Sequence, residues 1–358
     1  MTGDEPTEGR ARHEVRLLGL AYLLVFAALG LLGGSIALFG DPEAGSPVVR
    51  LDLKPFVPAH PAAATSAAPQ AVLAPVPGIA EAPPTMSEPQ TVGHVLLADP
   101  ALIEKTPQGP LPRIADDGTP PMRAYAAPAL SAGKPRIAIV ISGLGISAKA
   151  TQAALAGLPA GVTLAFAPYA VDVPHWVAEA RQKGHEVLLE IPMEPYDFPD
   201  SDPGQYTLRA GSSEDTNTQR LVWALTRFTG YTGVTNLLGG RLLSDADALE
   251  PVLTYLTRRG LLFYDNGSAV HSVAPDVAAR VGTSFAQATQ SIDAIQAAME
   301  IDHRLSDLET EARAKGSASG SGFLYPVTIE RVSAWAKGLS GRGFVLVPVS
   351  AIVSQSKQ

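Results

Sequence analysis

The order of apolar and polar positions divides the chain into three parts. Residues 17–40 are apolar and contain no charged side chain, and about 20 such residues suffice for a helix to cross a membrane. Residues 41–133 show neither helical nor strand periodicity and are rich in proline and alanine. Residues 134–353 alternate short β-branched runs with amphipathic stretches. The pattern predicts a membrane helix, a linker and one folded domain.

The charges beside the apolar segment predict its orientation. Three arginines precede it and two acidic residues follow it, and cationic flanks stay in the cytoplasm. We therefore expect a cytoplasmic N-terminus over residues 1–16, a single-pass inner-membrane helix over 17–40 and a periplasmic C-terminal domain. A buried core helix is the alternative, although the proline-rich stretch that follows offers it nothing to pack against.

The linker is predicted from its proline content. Nineteen of the 31 prolines lie between residues 42 and 135, and proline removes backbone donors and disfavours helix at the preceding residue. Residues 41–133 are therefore expected to be a disordered, semi-rigid spacer. Two apolar patches, Val48–Leu53 and His94–Ile103, are candidate docking motifs. If they recognise a partner, the protein is a scaffold that acts through its linker.

Composition excludes several classes of function. The formal net charge is −8 and no basic stripe is present, so nucleic acid is not an expected partner. The chain has no cysteine, which excludes a disulfide framework, a zinc ribbon and a thiol nucleophile.

Residues 134–353 read as alternating strands and helices. The predicted strands are Arg136–Ser142, Val162–Phe166, His185–Ile191, Gly233–Asn236, Leu261–Tyr264, Val281–Phe285, Gly322–Tyr325 and Phe344–Val347. The predicted helices are Ser147–Ala156, Val173–Lys183, Ser212–Phe228, Asp245–Arg259, Ser291–Ala314 and Thr328–Leu339. This alternation is typical of an α/β fold with a parallel sheet, here a β/α barrel of about seven strands. In such a barrel the functional side chains are expected at the carboxyl ends of the strands. These ends carry Ser142, Phe166, Glu190, Asn236, Asp265 and Tyr325.

Several sequence segments carry a family resemblance. The main ones are IAIVISGLG at Ile137–Gly145, TLAFAPYA at Thr163–Ala170, GHEVLLEIPMEP at Gly184–Pro195, GVTNLLGG at Gly233–Gly240 and GLLFYDNGS at Gly260–Ser268. From Lys134 to Ile352 the chain resembles the divergent polysaccharide deacetylase family. The resemblance implies a distorted β/α barrel, a periplasmic location and a role in carbohydrate metabolism. It also implies hydrolysis of N-acetyl groups on sugars by a divalent metal such as zinc, with an aspartate base and a histidine acid.

The chain departs from the family at the positions that carry this chemistry. Ser142 and Gly143 stand where the family has two aspartates, and Leu237 and Glu190 each stand where it has a histidine. The late Gly-His-Pro turn is replaced by residues 322–326, which lack histidine. Serine, glycine and leucine cannot replace carboxylate and imidazole as ligands of a divalent ion. We therefore expect no metal cofactor and a degenerate catalytic site.

Three carboxylates remain as catalytic candidates: Glu190, Glu194 and Asp265. Glu190 and Asp265 are candidates for a paired-carboxylate site, either acid/base or metal-binding. Glu194 and Asp265 are also suited to holding loops by accepting backbone N–H bonds. The further pocket candidates are Ser142, Asn236, Arg241, His271 and Tyr325. Arg241 either binds an anionic ligand or pairs with one of the acids.

Two functional hypotheses follow for the domain. In the first, a catalytically degenerate module binds an envelope glycan or a periplasmic protein. In the second, a relocated carboxylate site keeps the domain an active hydrolase. Tyrosines near the predicted loops and strand ends suit a sugar cleft, but they are equally ordinary as packing; they are Tyr169, Tyr196, Tyr206, Tyr264 and Tyr325.

Overall fold

The computed structural model describes residues 99–129 and 133–353. No helix within these two ranges is long and apolar enough to span a membrane. The predicted membrane helix over 17–40 and the patch Val48–Leu53 lie outside the described residues.

The described chain alternates strands and helices. The strands are β1 Ile103–Thr106, β2 Gly109–Pro112, β3 Arg136–Leu144, β4 Thr163–Phe166, β5 Val187–Met193, β6 Gly233–Leu238, β7 Leu262–Asp265, β8 Phe285–Gln287, β9 Gln290–Ser291, β10 Ser317–Phe323 and β11 Val345–Leu346. The helices are α1 Pro121–Ala124, α2 Ala148–Gly157, α3 Val173–Gln182, α4 Glu214–Leu225, α5 Ala246–Arg258, α6 Ala274–Val281, α7 Ala298–Lys315 and α8 Pro326–Leu339. Short 3-10 segments lie at Pro100–Leu102, Leu242–Ser244, Ser340–Arg342 and Val349–Ile352.

The main sheet is parallel and curled. Its strand order is β8-β7-β6-β5-β4-β3-β10-β9, with β11 paired to β3. The two edge strands β8 and β9 are joined by Ala288 and Thr289 alone. The N–H of Ala288 donates to the carbonyl of Asp265 in β7, and that of Thr289 to the carbonyl of Ser319 in β10, both at 2.8 Å. The sheet therefore curls until its edges approach each other, which agrees with the predicted β/α barrel.

Alternation along the strands produces two apolar cores. On β3, Ile137, Ile139 and Ile141 point outward into the large core beneath the helices. Val140 points inward and packs with Leu188 and other small or medium side chains inside the curl of the sheet. Because nearly every strand is covered on both faces, the strands are apolar runs rather than half-polar ones.

Strand β10 is an exception in composition. It reads SASGSGF from Ser317 to Phe323. Because serine and glycine have low strand propensity, the sequence predicted a strand only over Gly322–Tyr325. This prediction is wrong about the start of the strand, which lies at Ser317. A Cβ on Gly320 would lie 2.7 Å from Leu308 and 2.8 Å from Ile292. Close packing of α7 therefore requires a small residue there.

The neighbouring segment also differs from the prediction. Val281 ends α6 instead of opening a strand, and the strand β8 begins later, at Phe285. The long helix predicted from Ser291 begins at Ala298, because Ser291 pairs with Ser321 of β10. Sheet pairing overrides helical propensity here.

Residues 99–129, predicted as part of the disordered linker, are folded. Strands β1 and β2 form an antiparallel hairpin, and Leu102, Leu111 and Tyr125 are buried. Met122 packs with Val349 against the inner core. The linker prediction is wrong for this stretch, because its few apolar residues close the amino end of the barrel.

A buried acid joins this extension to the barrel. The Glu186 carboxylate accepts hydrogen bonds from the N–H of Ala127 at 3.1 Å and of Ser350 at 2.9 Å, and from the Ser350 hydroxyl. Nearby, the guanidinium of Arg181 donates to the carbonyls of Tyr125 and Gly230, both at 3.0 Å. One carboxylate thus ties the extension, at Ala127, and the segment at Ser350 to the start of β5.

Candidate functional site

Glu190 lies inside the barrel, below the carboxyl ends of the strands. Leu188, two residues earlier on β5, belongs to the inner core, and alternation places Glu190 on the same face. Its Oε1 accepts the N–H of Gly143, while Oε2 has no partner among the described residues. Burial raises its pKa from 4.5 to about 7. Glu190 therefore has the features of a proton-binding carboxyl that lacks a basic partner.

Thr235 is the cross-strand neighbour of Glu190 on β6. It is fully buried, and its hydroxyl also has no partner in the described parts of the chain. Sequence reasoning missed this residue, because threonine in a strand is ordinary. Two unpaired polar atoms thus face the barrel interior side by side.

We predict that Thr235→Val leaves the free energy of unfolding unchanged or raises it by up to about 1 kcal/mol, because valine keeps the shape and removes an unpaired hydroxyl. The matched control is Thr232→Val. The Thr232 hydroxyl donates to the carbonyl of Val187 at 3.1 Å, so its loss should cost about 1 kcal/mol. Urea denaturation of both variants tests this, and equal losses would contradict it.

Asp265 does not pair with Glu190. Register places Glu190, Thr235 and Tyr264 at one level across β5, β6 and β7. Tyr264 belongs to the inner core, so Asp265, the next residue, points to the opposite face. Its oxygens accept the N–H of Gly267 at 2.9 Å and the amide of Gln287 at 3.0 Å. The geometry does not support the predicted carboxylate pair.

Glu194 and Arg241 form a second structural contact. The Glu194 carboxylate accepts the N–H of Ala210 at 2.7 Å and lies 3.6 Å from the Arg241 guanidinium. The Glu194 carbonyl also accepts the N–H groups of Arg241 and Leu242. These contacts fasten the long loop after β5 to the turn after β6.

The side chain of Asn236 forms hydrogen bonds at the end of the neighbouring strand β7 and does not point into an open pocket. It exchanges amide hydrogen bonds with Asn266: its Nδ2 donates to the Asn266 side-chain oxygen at 2.9 Å and its Oδ1 accepts the Asn266 N–H at 2.9 Å. Asn266, which sequence reasoning missed, donates back to the Asn236 carbonyl at 2.8 Å. The Asn266-Gly267 dipeptide, which is typical of turns, was the sequence signal that could have identified this residue.

The end of β3 is covered by an aromatic ring. Gly143 has φ +87°, and a Cβ there would lie 2.5 Å from Cζ of Phe323. The Phe323 ring in turn lies 5.3 Å from that of Tyr325, and Ser142 is almost wholly buried. At this end of the barrel, Phe323 fills the space that a side chain at position 143 would need.

The histidines lie apart from one another. His271 is exposed in the loop after β7, and His175 is exposed on α3. His185 is buried at the amino end of β5, where it contacts the carbonyl of Val162 at 2.9 Å and burial lowers its pKa. His303 lies on α7 beside Asp307 at 3.3 Å. Of the four histidines in the described ranges, His271 and His175, which lies in the first turn of α3, are on the side of the barrel mouth.

The tyrosines do not form an open stacking platform. Tyr206 stacks on Trp223 with ring centroids 3.7 Å apart, and the guanidinium of Arg227 lies 5.2 Å from the same indole. The Tyr169 hydroxyl accepts the N–H of Tyr206 at 3.1 Å. Tyr264 is fully buried and bonds Ser319 at 2.8 Å. Tyr169 and Tyr206 thus pack on Trp223 and Tyr264 lies in the inner core, whereas Tyr196 is exposed.

The residues do not fit the metal that the family resemblance implies. In the ranges 99–129 and 133–353, no three His, Cys, Asp or Glu side chains are grouped so that they could hold a metal ion. At position 143 the positive φ and the contact with Phe323 both disfavour an aspartate. The expectation of no metal cofactor stays a prediction.

The curled parallel sheet with its covering helices is a β/α barrel. The family model for the divergent polysaccharide deacetylases matches residues 139–353. Because this covers more than half of the chain, the protein belongs to that family.

The chain is similar to several other bacterial proteins. A structure from Agrobacterium tumefaciens, the uncharacterized protein ATU2773, is 40% identical with a TM-score of 0.67; the match covers 68% of this chain and 100% of that one. The uncharacterized protein YibQ of Escherichia coli is 27% identical over 58% of this chain and 63% of its own length. An uncharacterized protein of Haemophilus influenzae is 25% identical over 57% of this chain and 72% of its own length.

Proposed function

We propose that this protein is a catalytically degenerate member of its family that works as a binding module of the cell envelope. In this proposal, residues 17–40 anchor it in the inner membrane and the domain lies in the periplasm. The partner is an envelope glycan or a periplasmic protein, and it binds at the mouth of the barrel. The family, whose members act on polysaccharides, supports a link to glycans.

The observation that carries the proposal is the contact between Gly143 and Phe323. A carboxylate at position 143 would have to displace an aromatic ring and adopt a positive φ. The acids that remain do not replace it, because Glu194 and Asp265 are engaged in loop contacts. Glu190 alone has a free oxygen, and one buried carboxyl cannot both hold a metal and act as the base.

We predict that the full chain, purified from membranes in detergent, neither binds stoichiometric zinc nor releases acetate from chito-oligosaccharides. Bound zinc is measured by elemental analysis and acetate by an enzyme-coupled assay. Zinc at one equivalent together with acetate release would contradict the proposal.

A pair of variants tests the steric argument. Gly143→Asp should lower the free energy of unfolding by about 2 kcal/mol or more and bind no zinc, because it adds strain and a clash. Ser142→Asp is the matched control, since its backbone does not need a positive φ. If Gly143→Asp were as stable as the parent and bound zinc, the site would be intact rather than lost.

The second candidate function, a hydrolase built on carboxylates without the family metal, has one supporting observation: the raised pKa of Glu190. Acetate release that disappears in Glu190→Gln, with folding retained, would favour it over the binding module.

A further inference from the structure

The exposed apolar side chains of the domain are concentrated at one end. Nine large apolar side chains are exposed among the described residues. Eight of them lie in, or directly beside, the loops that follow strands β3, β4, β5, β6, β7 and β9: Ile146, Tyr169, Val171, Tyr196, Leu238, Val270, Ile295 and Met299. In a parallel barrel all of these loops lie at the carboxyl end. We call these eight residues the apolar rim.

The rim residues are far more exposed than packing requires. Val171 is 82% exposed, and Val270 and Met299 are each 86% exposed. Single exposed apolar residues are ordinary, but a group gathered at one end of a domain marks an interaction surface. The ninth exposed residue, Ile114, packs beside Gly260 at the amino end.

The aliphatic character of the rim indicates the kind of partner. Six of the eight rim residues are aliphatic. Of its two tyrosines, Tyr169 lies against the ring of Trp223 at 5.1 Å and Tyr196 packs on Gly240, whereas sugar rings stack on open aromatic faces. Isoleucine, valine and methionine instead bury apolar side chains of another polypeptide.

One side of the rim carries unpaired negative charge. Asp172, Asp197, Asp200 and Asp202 are exposed in the loops after β4 and β5. None of them forms an ion pair with a residue of the described ranges; Asp197 and Asp202 bond only to a serine hydroxyl and a backbone N–H of their own loop. These carboxylates select a partner with positive charge.

Two arginines, one in the loop after β6 and one in the loop after β5, are already engaged. Arg241 lies beside Glu194, and the guanidinium of Arg209 lies over the ring of Phe198 at 4.2 Å. A second copy that docked through its own rim would bring its four aspartates to the same interface, where like charges repel. An anionic lipid surface would be repelled.

The first described residue lies far from the rim. The N–H of Asp99 donates to the hydroxyl of Tyr125 at 3.0 Å, and the Tyr125 carbonyl accepts from Arg181 at the amino end of the barrel. The chain that precedes residue 99 therefore joins the domain at the end opposite to the mouth.

We propose that the apolar rim docks a partner protein through a segment that combines apolar side chains with net positive charge. This deepens the proposed function and rests on it, since it names the partner class of the same barrel mouth. The rim supplies the buried apolar contact, and the four aspartates on the loops after β4 and β5 supply orientation and selectivity against acidic partners.

The test is photo-cross-linking of the full chain in its own host cells. The photoreactive residue p-benzoylphenylalanine is placed singly at Val171, Val270 and Met299, and at Ile114 as the control. We expect one discrete protein adduct at the rim positions and none at Ile114. Mass spectrometry should place the cross-link in an apolar, net-positive segment of another protein.

A charge-reversed chain provides the second arm. Asp197→Lys, Asp200→Lys and Asp202→Lys together should reduce the adduct about tenfold. The domain should stay folded, because the three side chains are exposed and only two hydrogen bonds within the loop are lost. Lys183→Glu, Lys315→Glu and Arg280→Glu, which lie on the outer helices, serve as the matched control and should leave the adduct unchanged.

The outcomes separate the two proposals. No adduct, an equal adduct at Ile114, or a cross-link to lipid, to a second copy or to an acidic segment overturns the docking surface. Zinc-dependent acetate release overturns the proposed function and does not affect the cross-linking readout.

Discussion

Glu186→Ala is expected to lower the free energy of unfolding by about 3 kcal/mol or more. The carboxylate is fully buried and accepts three hydrogen bonds, from the N–H groups of Ala127 and Ser350 and from the Ser350 hydroxyl. Alanine leaves these donors without acceptors and removes the acid whose charge acts on Arg181. Urea denaturation followed by tryptophan fluorescence measures the loss, because all three tryptophans lie in the folded domain.

The control for this variant is Glu104→Ala. Glu104 pairs with Arg259 at the surface, with 48% of its side chain exposed, so its removal should cost at most about 1 kcal/mol. Glu186→Gln keeps the shape and one acceptor oxygen and should fall between the two. If Glu186→Ala and Glu104→Ala were equally stable, Glu186 would not be the group that joins Ala127 and Ser350 to the barrel.

The barrel could be predicted because its strands are apolar runs bounded by turn residues. The end of β7 at Asp265 and the cap of α4 at Ser213, whose hydroxyl accepts the N–H of Thr216 at 3.3 Å, follow from local rules. Strand β10 and the hairpin β1-β2 could not be predicted in the same way. The positions of these strands depend on the elements that pack against them. Helix α7 packs over Gly320 of β10, and the amino end of the barrel packs against Leu111 of the hairpin.

The site was predictable only in part. The substitutions at Ser142 and Gly143 are readable from the sequence, but their consequence depends on Phe323, a residue 180 positions away. Glu190 and Asp265 looked like a pair because both lie near strand ends. Alternation and register, which depend on where each strand begins, place them on opposite faces. The unpaired hydroxyl of Thr235 leaves no trace in the sequence.

Glu190→Gln is expected to remove a component of the pH dependence of stability. Burial raises the pKa of Glu190 from 4.5 to about 7, so the folded state holds this proton more tightly than the unfolded state. Its stabilising contribution is fully present below about pH 4.5 and is lost as the pH rises through about 7. The loss amounts to about 3 kcal/mol.

The variant and the parent should therefore differ in a defined pH window. At pH 8 Glu190→Gln should be more stable than the parent by up to about 3 kcal/mol, because glutamine keeps an acceptor for the Gly143 N–H without a buried charge. The difference should shrink steadily toward pH 4.5. Burial also raises the pKa of Glu186 and Asp293, and these groups contribute equally to both proteins, so the difference isolates Glu190.

Thr235→Val is the matched control, since it changes the neighbouring side chain and keeps the carboxyl. It should retain the pH dependence of the parent between pH 5 and 8, a window spanning the raised pKa of about 7. Urea denaturation of all three proteins at several pH values in this window decides the matter. If the free energy of unfolding of Glu190→Gln and of the parent had the same pH dependence, the prediction would be wrong. A bound water or ligand would then bond to the free oxygen of Glu190 and keep the carboxylate charged, which indicates an occupied site inside the barrel.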